Sequence, residues 1–323
     1  MIVQTIRILF TSAGRRVGLI ECFRNAAQAL GVSPEIHACD MNPGLSAACH
    51  MADHSFAVPH CSDEAYPDQL LSYCEENRID LLVPTIDPEL MGLAMRQKDF
   101  AANGTFVHVS SPEVIAVVRD KLQTTEVLYR AGVPVPLSGT VDQLRCAPQD
   151  WPWPLFIKPS AGSASRGIGI LDSITDIAEE YNEKMIVQEL LCGDEYTINM
   201  YIDAQGRLRS VIPHLRISVR GGEVEKGRTV RSRTFSDIAG QIAGALPGAC
   251  GVMCFQLIDD INKGPHVFEI NARFGGGYPL ADHAGGRYAE SLLCRVLDRK
   301  ECASDRWRDG TTMIRYDAAI YQG

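Results

Sequence analysis

Between Val267 and Arg273 the chain reads Val-Phe-Glu-Ile-Asn-Ala-Arg, and Phe274 and three glycines, Gly275 to Gly277, follow at once. Polar and apolar residues alternate at period two, which predicts a β-strand buried on one face. Phe268, Ile270 and Ala272 would enter a core, and Glu269, Asn271 and Arg273 would line the opposite side. A carboxylate and an amide are hard oxygen donors suited to a magnesium ion, and a guanidinium beside them binds phosphoryl oxygens. The plainer alternative is the polar face of an ordinary hairpin with a salt-bridged arginine.

An upstream segment adds to this strand. Residues Gly251 to Ile258 are apolar except for Gln256, and the intervening Asp-Asp-Ile-Asn-Lys-Gly-Pro-His has turn composition. A hairpin centred on Asn262-Lys263 would set Gln256 directly opposite Glu269, placing a third oxygen donor beside the first two.

Composition narrows the classes. The 323 residues suffice for two or three subdomains. A hydrophobic share of 46% and a charged share of 22% describe a globular protein. The net charge of −9 argues against nucleic acid as a partner, because phosphate backbones select basic surfaces. No apolar run reaches the length of a membrane span and no cleavable signal pattern opens the chain, so a cytoplasmic location is expected. The 11 cysteines are scattered, odd in number and without a CxxC pair, which speaks against a disulfide framework or a zinc ribbon. One local group, Cys49, His50, Asp53, His54, His60 and Cys61, contains histidines four apart. It runs into Ser55-Phe56-Ala57-Val58-Pro59, which reads as a strand, so incidental histidines at a strand edge are favoured over a metal site.

The first third alternates strands and helices. Ile6–Phe10 reads as a strand, followed by a helix of about four turns ending near Gly31. Ile36–Cys39, Leu81–Pro84 and Phe106–Val109 read as further strands, with a helix over Tyr66–Asn77. This order predicts a parallel sheet with crossover helices. The first turn contains Gly14 and Gly18 but no GxGxxG, so dinucleotide binding there is weakly supported.

From Ser111 the character changes. Ser111-Pro112-Glu113 starts a helix that is expected to contain Asp120-Lys121, and a second helix is expected to follow it before Ala131-Gly132. Leu155-Phe156-Ile157-Lys158-Pro159 reads as a strand ending in a lysine. A small-residue loop follows, with Gly162, Ser163, Ser165 and Gly167, and its backbone amides could approach phosphate oxygens closely. It is not a Walker A loop, since the lysine precedes the glycines and strands flank it. Met185–Leu191 is a further strand, leading through Cys192-Gly193-Asp194 to Glu195. Glu195, Thr197, Asn199 and Tyr201 would share one face of the next strand.

Taken in order, Lys121, the strand-lysine-loop at Lys158, Glu189-Leu190-Leu191 with Glu195, Gln256, and Glu269-Ile-Asn271-Ala-Arg273 resemble the ATP-grasp enzymes. The chain is most similar to single-module relatives of the carbamoyl-phosphate synthase large subunit, including amino-acid ligases. The resemblance implies an α/β fold: a Rossmann-like parallel-sheet domain over residues 1–110, then an ATP-grasp fold of two α+β subdomains, 111–190 and 191–323. It implies that Lys121 and Lys158 contact ATP phosphates, that the loop Gly162 to Gly167 closes over them, and that Glu189 to Leu191 hold adenine, partly by backbone. Glu195 would bind ribose, and Gln256, Glu269 and Asn271 would hold one or two Mg²⁺, or Mn²⁺. Arg273 would stabilise the transferring phosphoryl group and an acyl phosphate. Many ATP-grasp enzymes carry Asp where this chain has Gln256; the carbamoyl-phosphate synthase type has Gln.

The implied reaction is attack of a carboxylate on the γ-phosphorus, then attack of an amine on the acyl phosphate, giving an amide, ADP and phosphate. Small-molecule carboxylate and amine substrates are thus the expected partners, with a homodimer among the assemblies allowed. Carboxyphosphate chemistry on bicarbonate, or ATP binding without catalysis, are the alternatives. The substrate side is read from Arg216, Arg220, Lys226, Arg228, Arg231 and Arg233, a basic cluster in an acidic chain. Arg216, Ser218 and Arg220 would share a strand face, either at a phosphate or carboxylate site or in a solvated hairpin. Gly275, Gly276 and Gly277 are expected to form a wall of the acceptor site beside Arg273.

Overall fold

A computed structural model describes residues 3–160 and 167–321. Its first sheet is parallel, built from β1 (Thr5–Thr11), β2 (Ser33–Asp40), β3 (His54–Ala57), β4 (Leu81–Pro84) and β5 (Phe106–Val107) in the order β3-β2-β1-β4-β5. Central β1 is apolar on both faces because both are covered. Ile8 and Phe10 pack with Leu19, Ile20 and Phe23 of the helix Val17–Ala29, and Leu9 packs with Tyr66, Leu70 and Cys74 of the helix Ala65–Asn77. β5 stops two residues short of the expected end.

The second sheet is small and antiparallel: β6 (Ser138–Thr140), β7 (Leu155–Pro159), β8 (Gly169–Leu171) and β9 (Met185–Glu189), in the order β6-β9-β7-β8. Its core is its own, formed by Val141, Leu144, Leu155, Ile157, Leu171, Met185 and Val187. The third sheet is antiparallel, with β10 (Gly193–Ile202), β11 (Leu208–Arg220), β12 (Glu223–Thr229), β13 (Gly251–Asp260), β14 (Gly264–Asn271) and β15 (Thr312–Ile314), ordered β14-β13-β10-β11-β12-β15. It shares cores with the first sheet. Phe255 and Met200 join the cluster of Leu9 and Leu82, whereas Tyr201 and Val252 join that of Ile8 and Phe10.

Three local expectations are corrected. The helix from Pro112 ends at Arg119, and Asp120 caps a new helix, Lys121–Arg130; its Oδ1 accepts from the backbone N–H of Leu122 and Gln123 at 2.9 and 3.1 Å. A helix running through Asp120 would have lost that cap. Lys121 therefore opens a helix. β14 ends at Asn271, so Arg273 lies in the bend beyond it. Finally, the hairpin pairs Asp260 with Gly264 and Leu257 with Val267 but Gln256 with Glu269. A β-bulge at Phe268 accounts for the slip. The anticipated Gln256–Glu269 pair forms, and Phe268 turns out of the core into a cleft, against the alternation read from sequence. No helix among the described residues is long and apolar enough to cross a membrane.

Candidate active site

A cleft of about 840 Å³ opens between the three sheets. The small sheet contributes Lys158 from the end of β7 and Gln188 to Leu191 from the exit of β9. The large sheet contributes Glu195, Thr197, Arg216, Gln256, Glu269 and Asn271, and the first sheet sends in Thr85, Ile86 and Asp87 from the loop after β4. Lys121, Arg273, Gly275, Gly276 and Gly277 are also among the lining residues. Gly167 lies at the end of β8's approach with φ +65°, while Gly162, Ser163 and Ser165 lie outside the described residues.

Lys158 is only 6% exposed. Its ammonium stands over the rings of Phe268, 5.3 Å away, and Phe156, 5.9 Å away. The bulge that misplaces Phe268 thus gives the lysine an aromatic floor, a favourable contact for a cation. Burial pushes the Lys158 ammonium down to about 8; Glu269 opposes that shift and Lys121 adds to it. Burial also lowers Lys121, again opposed by Glu269. Both amines therefore feel the one carboxylate at the centre of the cleft.

Around Glu269 the amides are held. With its amide nitrogen facing Glu269, Gln256 donates to Oε2 at 2.7 Å and accepts from the Arg216 guanidinium at 2.5 Å. Arg216 also donates to Thr197 Oγ1 at 3.2 Å and to the Gly222 carbonyl at 3.1 Å. Its Nε lies 3.1 Å from Glu195 Oε1, an ion pair by distance although the N–H is misaligned for a hydrogen bond. Burial raises the Glu195 carboxyl and Arg216 offsets part of that rise.

Arg273 is fixed by a residue that the sequence did not point to. Its Nη2 and Nε donate to Asp87 Oδ2 at 2.6 and 3.1 Å, and Nη2 donates to Asn271 Oδ1 at 3.0 Å. Burial is the largest single influence and disfavours its charge, but Asp87, Cys254 and Glu269 together outweigh it and the guanidinium is held above its usual range. Asp87 is placed by Glu89, which is buried. Glu89 accepts from the backbone N–H of Thr85 and Ile86 at 2.8 and 3.1 Å, from Tyr66 Oη at 2.5 Å and from Ser12 Oγ at 3.0 Å. A loop at the carboxyl end of a parallel strand is the usual place for ligand-facing residues. That position was the available signal for Asp87.

The remaining residues divide sharply. The Glu189 carboxylate, part of the expected adenine segment, pairs with Lys263 and accepts from Leu137 N–H at 3.2 Å. Leu190 and Leu191 face the cleft. In the basic cluster, bulges near Ser218 break the shared face. Arg216 is buried in the cleft, whereas Arg220 pairs with Glu225 and Asp317, Arg231 with Asp305, and Arg233 with Asp237, all outside it. The phosphate or carboxylate reading therefore survives for Arg216 alone of these four.

The glycine run is tight. A Cβ at Gly276 would stand 2.7 Å from the Glu223 carboxyl carbon and one at Gly277 would stand 2.6 Å from His214 Nε2, so a side chain at either position would force those neighbours to move. Glu223 gathers Arg16 at 3.0 Å, Arg315 at 3.0 Å and Arg15 at 3.6 Å. None of those three arginines was singled out from sequence.

Family models match this layout in two parts. Residues 8–108 match the PylC-like N-terminal domain and residues 118–277 match the ATP-grasp domain. Among solved structures the chain is similar to the biotin carboxylase domain of Hydrogenobacter thermophilus 2-oxoglutarate carboxylase, with TM-score 0.73 and 15% identity over 96% of this chain and 74% of that one. It is similar to an L-amino acid ligase from Bacillus licheniformis, with TM-score 0.68 and 20% identity over 93% and 76%. It is also similar to pyruvate carboxylase of Rhizobium etli, with TM-score 0.72 and 16% identity over 91% of this chain, spanning 28% of that longer one. No curated protein matches the sequence. At these identities the structures speak for the fold, and the two domain models agree with it: the chain belongs to the ATP-grasp superfamily, with a PylC-like domain ahead of its grasp domain.

Proposed function

We propose that this chain is an ATP-dependent carboxylate–amine ligase that forms an amide through an acyl phosphate and releases ADP and phosphate. The observation that carries the reading is the central carboxylate, Glu269, flanked by two lysines from different elements, Lys158 buried and Lys121 half-buried, and by Gln256 and Asn271. Similar folds support it: one is an L-amino acid ligase, and another is a biotin carboxylase domain in complex with MgADP and bicarbonate.

The donor set fits magnesium. Glu269, Gln256 and Asn271 offer three hard oxygens from paired strands, and turning the Gln256 amide over to present its oxygen gives up the bond it accepts from Arg216. Those residues would hold one or two ions, and magnesium bound there would neutralise phosphate charge. With a single formal negative charge in the set, ATP itself balances most of the ion.

The chain's own groups do the rest. Lys121 and Lys158 bind phosphate oxygens, with Gly162, Ser163, Ser165 and Gly167 covering them. Leu190 and Leu191 offer the adenine an apolar edge and backbone groups, with the Glu189 carboxylate anchoring that segment to Lys263. Glu195 takes ribose hydroxyls with its pairing to Arg216 setting its orientation. Arg216, held on Glu195, Thr197 and Gln256, acts by holding that face in place. Arg273 meets the charge that develops as a substrate carboxylate attacks the γ-phosphorus. The amine then attacks the carbonyl carbon and expels phosphate, beside the backbone of Gly275, Gly276 and Gly277. Closure of the small sheet over the cleft would keep water from the acyl phosphate. The division into residues 1–110, 111–190 and 191–323 and a homodimeric assembly belong to the same proposal.

The test is ADP release from Mg-ATP across amino acids and small carboxylates, alone and in pairs, with bicarbonate included. Release that requires one carboxylate and one amine supports the ligase and names both. Release with bicarbonate alone replaces it by carboxyphosphate chemistry. Confirmed ATP binding with no release for any pair overturns the ligase reading.

A further inference from the structure

At the outer edge of the first sheet, Glu35 and His37 of β2 and His54 of β3 stand together, and none of them lines the cleft. Register explains the meeting. His37 is paired directly with His54 across the parallel strands, and Glu35, two residues before His37, shares its face. The rings are 4.7 Å apart and tilted by 30°. Glu35 Oε1 is 3.3 Å from His37 Nε2 and 3.3 Å from His54 Nε2, and the three ligand atoms lie within 4.8 Å of one another.

We propose that these three side chains form a zinc site with a fourth position open to solvent. Two imidazoles and one carboxylate suit zinc. Tetrahedral ligands on metal bonds of about 2.0–2.1 Å lie roughly 3.3–3.4 Å apart, which matches both Glu35 separations. The remaining adjustment falls on His54, whose side chain is 54% exposed on an edge strand and can swing toward His37.

Outer contacts orient the set. His37 Nδ1 lies 2.8 Å from Tyr73 Oη, the partner a ligating imidazole needs for its second nitrogen. Tyr73 is itself stacked on Phe56 of β3 at 3.6 Å. Arg7 takes the other Glu35 oxygen at 3.2 Å, leaving Oε1 for the histidines. The four-residue spacing of His50 and His54 is not what builds the site. His50 ends a short helix and contacts the Gly44 carbonyl, and His60 contacts Ser62.

Zinc binding to the full chain is measured by calorimetry and by metal analysis after dialysis, in excess Mg²⁺ to occupy oxygen-only sites. One zinc per chain is expected, and binding should weaken by more than about 100-fold in His54→Ala and in Glu35→Gln. Tyr73→Phe keeps the stacking ring and should weaken binding by about 10- to 100-fold. Cobalt in place of zinc should give visible bands without sulfur charge transfer, which separates this site from the free cysteines. Absence of stoichiometric zinc, unchanged affinity in His54→Ala, or a thiolate signature would each overturn the proposal. None of these readouts depends on the ligase reading.

Discussion

The small sheet and the rest of the molecule are stabilised in different ways. The first and third sheets share two apolar clusters, so Leu9 and Phe255, or Phe10 and Tyr201, belong to common cores. The small sheet keeps a separate core of seven buried residues on β7, β8, β9 and the helix Val141–Cys146. A shared core transmits distortion because interiors are densely packed. A separate one lets its sheet open or shift without disturbing the other cores, at the cost of links such as the Glu189–Lys263 pair and the seat of Lys158 over Phe268. The cleft is divided along the same line, with Lys158 on the separate sheet and Glu269, Asn271 and Arg273 on the joined body. The charges that line the cleft are therefore carried by parts with separate cores.

The largest expected effect lies on the joined body. Glu269→Ala should lower ADP release by at least about 10³-fold, since it removes the one carboxylate of the proposed metal set, while the melting temperature stays within a few degrees. Turnover at the original Mg²⁺ demand would remove Glu269 from the site. Next comes Asp87→Ala, which leaves the Arg273 guanidinium buried without its carboxylate. Breaking a buried pair costs about 3–5 kcal/mol, so denaturant midpoints should fall together with activity. An unchanged midpoint would show that Asp87 is not what holds Arg273.

On the separate sheet, Leu144→Ala should cost about 2–5 kcal/mol, and the cost should be local. Hydrogen exchange is expected to quicken over 138–160 and 167–189 while β1 and β13 keep their protection. Equal loss of protection in β13 would mean that the small sheet unfolds with the body and would break the contrast drawn above. The smallest effect concerns pH. Lys158, pushed down to about 8 by burial, carries its charge below that value and loses it above. ATP affinity should therefore weaken between pH 7 and pH 9, by up to about tenfold one unit above the pKa, and Lys158→Arg should flatten the curve. A flat wild-type profile would show that this ammonium does not contact phosphate.

The legible features were local. The Gln256–Glu269 pairing followed from two apolar segments and a turn, and the parallel sheet from the order of strands and helices. Phe268 was misread because a bulge breaks the period on which alternation depends, and nothing in Val-Phe-Glu announces one. Asp87 meets Arg273 across 186 positions, and Glu223 meets Arg16 only when β12 lies against the first sheet's opening turn. Such pairs are properties of topology. The Glu35–His37–His54 group is a similar case: the histidines four apart drew attention, whereas the pair that meets is one brought together by strand register.

Glu89 has a consequence for how variation in this protein would be interpreted. It faces no solvent and no substrate, yet the amides it binds set the loop from which Asp87 steers Arg273. Tyr66 and Ser12, which complete its shell, belong to the same linkage. Substitutions at these three positions would register in a functional screen as losses of activity, although none of the three lines the cleft. The first sheet acts as a jig for the reaction centre, and its tolerance to mutation is set by an arginine near the far end of the chain.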